Sequence, residues 1–176
     1  MANSIAITIF NNALSATQNK NYEEAAKYYL EAIKYDSEIF KEYNTKIYDY
    51  ANSLPHNMSY LLLKNVIKKS SPYYQLIFDW IMNNGISHKC KDWRIISNYA
   101  LGNIYGINND FVNADKYWKQ AISESDNIKE DIHSMAYSAR LNAIANITHN
   151  EKDILNASKQ ILNNNQNINY YLIKKN

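Results

Sequence analysis

Few side chains in this sequence have both the type and the spacing that chemistry needs. His88 and Cys90 stand close together between Lys89 and Lys91, which could give a metal a pair of ligands or favour a thiolate through neighbouring cations. A structural zinc site is closed and tetrahedral, and no second pair of His and Cys lies at ligand spacing. The expectation is therefore no metal and an incidental rather than nucleophilic thiol. Glu23 and Glu24 could be taken for a paired acid and base. Adjacent helical residues point about 100° apart, and these two fit an acidic first turn better, with Asn21 and Glu24 in the form of a capping box. His133 and His149 fall near opposite ends of one expected helix and cannot share a site without a third element, while His56, after Pro55, reads as a loop residue. The sequence has no Gly-rich phosphate loop, nucleophile elbow, or kinase or deaminase signature, so no catalytic residue, cofactor or metal ligand is assigned.

The sixteen tyrosines could form stacking platforms for single-stranded nucleic acid. Most of them recur at helical steps with other apolar residues, which is the spacing of a core. A formal charge of +2, with scattered Lys and Arg, adds no phosphate-binding surface, so nucleic acid is not an expected partner. The single cysteine rules out an internal disulfide, and the Met1 segment has neither a basic start nor a long apolar run. A cytoplasmic location is expected, with delivery by a specialised secretion route still compatible. Runs such as Ile5 to Phe10 and Leu61 to Leu63 are core-sized and far from the roughly 20 apolar residues of a membrane span. With 176 residues, 46% apolar, the chain can bury one core and is expected to form a single domain. Three Gly, two Pro and no sustained alternation leave little for a sheet protein, so the class is all-α. Asn, Ile, Lys and Tyr are heavily used; their codons are rich in A and T, which accounts for the bias without a special function.

The clearest pattern runs from Tyr99 to Ser125. Leu101, Gly102 and Tyr105 fall on one face of a helix, Asn108, Asn109 and Asp110 form a polar turn, and Phe111, Ala114, Trp118 and Ala121 fall on the facing side of a second helix. Tyr22, Ala25, Tyr29 and Ala32 occupy the same positions in the segment from Asn21 to Ser37. Its first helix has Asn12, Ala13 and Ala16 where the later one has Leu101, Gly102 and Tyr105. This spacing resembles the tetratricopeptide repeat and the related Sel1-type repeat. The resemblance implies a right-handed stack of antiparallel helix pairs, an α-solenoid of about eight or nine short helices. Its hairpins would cover about 4–37, 92–125 and 130–163, with divergent helices over 38–91 and a C-terminal tail over 164–176. It also implies a concave groove for a partner, lined by Phe10, Leu14 and Gln18, then Tyr99, Asn103 and Ile107, then Asn142 and Asn146. Each set recurs at four-residue steps, so the side chains project together; Phe10, Leu14 and Ile107 read equally well as packing residues. The clamp that some family members use for a C-terminal carboxylate is not recognisable, because Phe10 and Tyr99 stand where its lysine would be.

Between these hairpins the elements follow from caps and stripes. Ser4 reads as the N-cap of a first helix striped by Ile5, Ile9, Ala13 and Ala16, and a second helix runs from Tyr22 to about Tyr35. A third helix runs from Glu38 to Leu54, where Pro55 stops it, and a short one bears Met58, Leu62 and Val66. Ser71 as N-cap and Pro72 at the first helical position open a helix over Tyr73 to Asn83, expected to be central and nearly enclosed. Another begins near Asp92. Helices over Glu130 to Ile147 and Asp153 to Leu162 would form the last pair, with Tyr170 to Ile173 either docking as a cap or fraying. The function expected is that of a protein-interaction module, an adaptor, chaperone or scaffold that holds a peptide or helix of another protein in the groove. The alternative is a non-enzymatic subunit or small effector of a larger complex, assembled through apolar end patches, a homo-oligomer included.

Overall fold

The computed structural model describes residues 2–44 and 53–125, together with Ala136 and Arg140. Among these residues all regular structure is helical: α1 (Ala2–Gln18), α2 (Tyr22–Ala32) with a 3-10 turn (Ile33–Tyr35), α3 (Asp36–Asn44), α4 (Leu54–Leu63), α5 (Pro72–Trp80) with a π-helical turn (Ile81–Gly85), α6 (Lys91–Ile107) and α7 (Phe111–Glu124). The chain divides into two compact units, Met1–Ala100 and Leu101–Asn176, and the boundary falls inside α6.

In the first unit α1 lies along α2, and α3 turns back onto α1. The seam is made of small residues: Ala6, Ala13 and Ala16 from α1, and Ala25, Ala26 and Ala32 from α2, all buried. Small side chains let the backbones approach, and the rings of Phe10 and Tyr29, 6.2 Å apart and fully buried, fill the space that remains. Each such ring contributes roughly 1.5–3 kcal/mol by apolar burial. The inward face of α1 is thus centred on Ala6, Phe10 and Ala13, whereas Ile5, expected inside, is 55% exposed. A close alanine seam selects the face with the smallest side chains over the one with the most hydrophobic. Ser4 is no cap either, because α1 is already under way at Ala2 and the Ser4 carbonyl accepts from Thr8 Oγ1 within the helix.

The turn after α1 is closed by backbone bonds alone. Lys20 adopts the left-handed conformation, φ 62°, while Asn21 N–H donates to Ala16 O and Lys20 N–H to Thr17 O. This is a Schellman motif, made without the usual glycine. The turn after α6 repeats it bond for bond: Asn109 has φ 61°, Asp110 N–H donates to Tyr105 O, and Asn109 N–H to Gly106 O. The same sequence offset separates Lys20 from Asn109, Tyr22 from Phe111 and Tyr29 from Trp118, so the two hairpins are built alike turn by turn. Their caps differ. Asp110 accepts from Asn113 N–H at 3.2 Å, but the Asn21 side chain makes no cap bond, so the capping box expected with Glu24 does not form.

Pro55 begins a helix rather than ending one. Ser53 Oγ accepts from the N–H of His56, and Leu54 and Pro55 occupy the first turn of α4, where a proline's missing N–H has no intrahelical partner to lose. Leu54 therefore belongs to α4, His56 is helical, and α4 stops at Leu63, before Val66. Ser71 and Pro72 start α5 as expected, with Ser71 Oγ accepting from Tyr73 N–H. That helix is not enclosed: Ile77 and Trp80 are buried, but Gln75 and Asp79 are exposed and Leu76 is 54% exposed. The enclosed stretch lies in the first half of α6. Ile95, Ile96, Ser97 and Asn98 are buried in succession, and consecutive helical residues at about 100° steps cover every side. Ser97 sits over Gly85, where a β-carbon would overlap its hydroxyl.

In the second unit the end of α6 packs against α7. Gly102 has no β-carbon because the Trp118 ring occupies that place, and Leu101, Ala114, Trp118 and Ala121 are buried as the hairpin pattern requires, whereas Phe111 is only partly buried. Of the elements expected after Ser125, Ala136 is helical and buried, and helical Arg140 pairs with Asp115 at 2.6 Å. The rest of 126–176, including His133, Asn142, Asn146, His149 and the Tyr170 to Ile173 segment, lies outside the described residues, as does 45–52.

Candidate functional site

The expected groove residues meet different fates. Phe10 is fully buried against Tyr29, so it packs the first hairpin and lines no surface, a correction that follows from the alanine seam. Leu14 is partly exposed and Gln18 exposed on α1. On α6, Tyr99 and Asn103 are partly exposed, and Ile107 is 56% exposed. Asn103 has a bond of its own: its Oδ1 accepts from Trp118 Nε1–H at 3.0 Å. Thr17 has the matching duty in the first hairpin, its Oγ1 lying 3.0 Å from the hydroxyl of Tyr29. Burial pushes the Tyr29 phenol up to about 12, with the Thr17 bond acting in the opposite direction. In each hairpin, then, a first-helix polar side chain holds the polar edge of the largest ring of the second helix.

Val112 stands just past the same turn as Ile107 and is 69% exposed. Two large aliphatic side chains thus flank the Asn108–Asp110 turn in water. Tyr105, expected in the core, is only partly buried; its ring stacks on Tyr117 at 5.5 Å and 7°, and Lys116 Nζ lies 5.4 Å from the Tyr117 ring centre. Burial raises both phenol pKa values above the ordinary one. Sequence reasoning overlooked Val112 and Tyr117. Tyr117 stands at the helical step from Ala114 and Ala121 and could have been found by periodicity; no spacing marks Val112, which faces outward on a helix read for its inner face.

His88 is not a loop bystander. Its ring, 4% exposed, stacks near Trp93 at 4.7 Å and meets the edge of Phe40 at 6.1 Å, while Phe40 and Trp93 touch edge to face at 5.9 Å. Nδ1 accepts from the N–H of Cys90 at 3.0 Å, which leaves the proton on Nε2 to donate to Asp36 Oδ2 at 3.2 Å. Arg94 Nη1 donates to the His88 carbonyl at 2.7 Å. The His88 bond holds the Asp36 carboxyl below its usual range, opposed by its partial burial and aided by the Lys89 charge. Cys90 is buried, and burial pushes its thiol up, against the lowering that flanking lysines suggested. Both ring nitrogens are thus engaged by neighbours within the cluster. No group of His, Cys, Asp and Glu among the described residues is arranged to hold a metal. Asp36 and His88 are far apart in sequence, so no local spacing could reveal the pair.

No helix among the described residues is long and apolar enough to cross a membrane. Comparison with protein-family models, with curated proteins and with solved structures gives no match to this chain.

Proposed function

We propose that this chain is a protein-interaction module of tetratricopeptide-like hairpins that holds a peptide or helix of another protein, with no catalytic step and no cofactor of its own. The observation that carries this reading is the pair Ile107 and Val112, exposed on either side of the turn between α6 and α7. A single exposed aliphatic residue is ordinary. Two of them beside a hairpin whose inner face is fully occupied by Leu101, Gly102 and Trp118 are surface that folding leaves unused. Apolar contacts there suit the non-polar side of an amphipathic partner. Repeats of this kind in the right-handed stack named above would extend the surface.

The test starts with a pull-down and mass spectrometry from the native cell, followed by binding measurements with the purified partner. Ile107→Ser combined with Val112→Ser should weaken binding at least tenfold, about 1.4 kcal/mol, while the melting temperature holds. Asn103 is unsuitable for this purpose, because its loss strands the Trp118 N–H and lowers stability. Unchanged binding by the folded double variant would remove this surface from the proposal.

A further inference from the structure

Val112 opens a stripe along the outer side of α7. Steps of four and three residues lead from it to Lys116, Lys119 and Ser123, and at about 100° per residue these side chains fall within one narrow sector of the helix. All of them are exposed. The stripe is therefore aliphatic next to the turn, with Ile107 on the turn's other side, and cationic over the two helical turns that follow. Neither lysine has a carboxylate partner among the described residues. The acids nearest in sequence are engaged elsewhere: Asp115 Oδ1 accepts from Arg140 Nε–H at 2.6 Å, and Glu124 Oε1 accepts from Gln120 Nε2–H at 3.1 Å. Lys116 Nζ lies 5.4 Å from the centre of the Tyr117 ring, a contact that draws the charge toward one place and leaves its N–H groups for a further acceptor.

We infer that the occupant of the surface around Ile107 and Val112 is an acidic amphipathic helix of another protein, with its aliphatic side chains on those two residues and its carboxylates on Lys116 and Lys119. This rests on the interaction surface proposed above and adds the charge of what binds there. A helix repeats at the same three- and four-residue steps as the stripe, so a partner lying along α7 presents aliphatic and acidic side chains at matching intervals. Opposite charge beside an apolar contact speeds association and sets the orientation of docking. Two cations on one face hold few phosphates, and nucleic-acid binding draws its strength from many. A bilayer surface calls for a broad apolar face, which one aliphatic residue at the end of a stripe does not make.

The test uses the intact chain and a pool of synthetic amphipathic helices whose aliphatic positions are fixed and whose flanking positions carry Glu, Gln or Lys. Peptides retained by the immobilised wild type should favour Glu over Lys roughly tenfold or more, and their association should slow as salt rises from about 0.01 M to about 1 M. Lys116→Glu with Lys119→Glu should turn the preference toward Lys. The milder Lys116→Gln with Lys119→Gln should abolish it, and the melting temperature should hold in both variants, because both side chains stand in water. Retention without a Glu bias, the same bias in these variants, or an empty capture overturns the acidic partner. So does equal competition by phosphatidylserine vesicles or oligouridine, since the stripe would then take any anion. The surface itself is judged separately. If Ile107→Ser with Val112→Ser retains the same peptides as the wild type, the reading of that surface falls, whereas lost retention in that variant with no Glu bias in the wild type keeps the surface and removes only its charge preference.

Discussion

Trp118 and Tyr29 show how one polar atom can decide the seat of a large ring. Each ring is buried for its area, yet each carries a polar edge that burial would strand without Asn103 or Thr17. Asp36 is the corresponding case among charged groups. The hydrogen bond from His88 lowers its folded pKa, so its contribution to stability is complete above the unfolded value of about 3.9 and is lost as the pH falls through the lower folded value. Melting temperatures taken from mildly acid to strongly acid pH should drop less steeply for Asp36→Asn than for the wild type. Parallel curves would mean that the bond adds nothing to folding. This residue could not be singled out from the sequence, because its partner lies 52 residues further along the chain.

At the scale of elements the close contact of α6 with α7 depends on Gly102. A leucine there would drive carbon into the Trp118 ring and Ala114→Leu would overfill the same hairpin, each costing on the order of 1–3 kcal/mol. Thermal melts decide it, and variants as stable as the wild type would displace the assigned contact. This hairpin was legible because the pattern Leu101, Gly102, Ala114, Trp118 and Ala121 combines a period with a size rule: small residues where backbones meet, large ones in the gap. The start of α5 was legible because Ser71 and Pro72 act locally. Pro55 misled, since a proline stops one helix and starts the next with equal ease, and only the bond from His56 N–H to Ser53 shows which. The face of α1 misled because Ile5 and Ile9 outrank alanine in hydrophobicity, whereas what faces them across the seam is decided by α2. The groove was the least legible part: periodicity says which residues share a flank, not whether that flank is already occupied, as it is at Phe10.

At the scale of the whole molecule, α6 supplies residues to both compact units without a break in the helix. Most chains that divide in two do so at a linker, where few contacts cross and a cut does little harm. A cut after Ala100 would strike the middle of a helix instead. The carbonyls of Ser97, Asn98, Tyr99 and Ala100 would lose the N–H donors that follow them, and Ser97 and Asn98 are among the most buried polar residues of the described chain. Segments 1–100 and 101–176 expressed separately should each give poorly dispersed amide spectra, while the intact chain unfolds in one transition by circular dichroism and by tryptophan fluorescence. Two well-folded fragments would show that α6 only spans the boundary. A joint made from a helix also has a consequence for chain length. Inserting or deleting one residue near Ala100 would shift Leu101 and every later residue of α6 by about 100° in phase against Ile96 on the same helix, whereas a length change in the turn at Lys20 or Asn109 leaves the phase within each helix as it is.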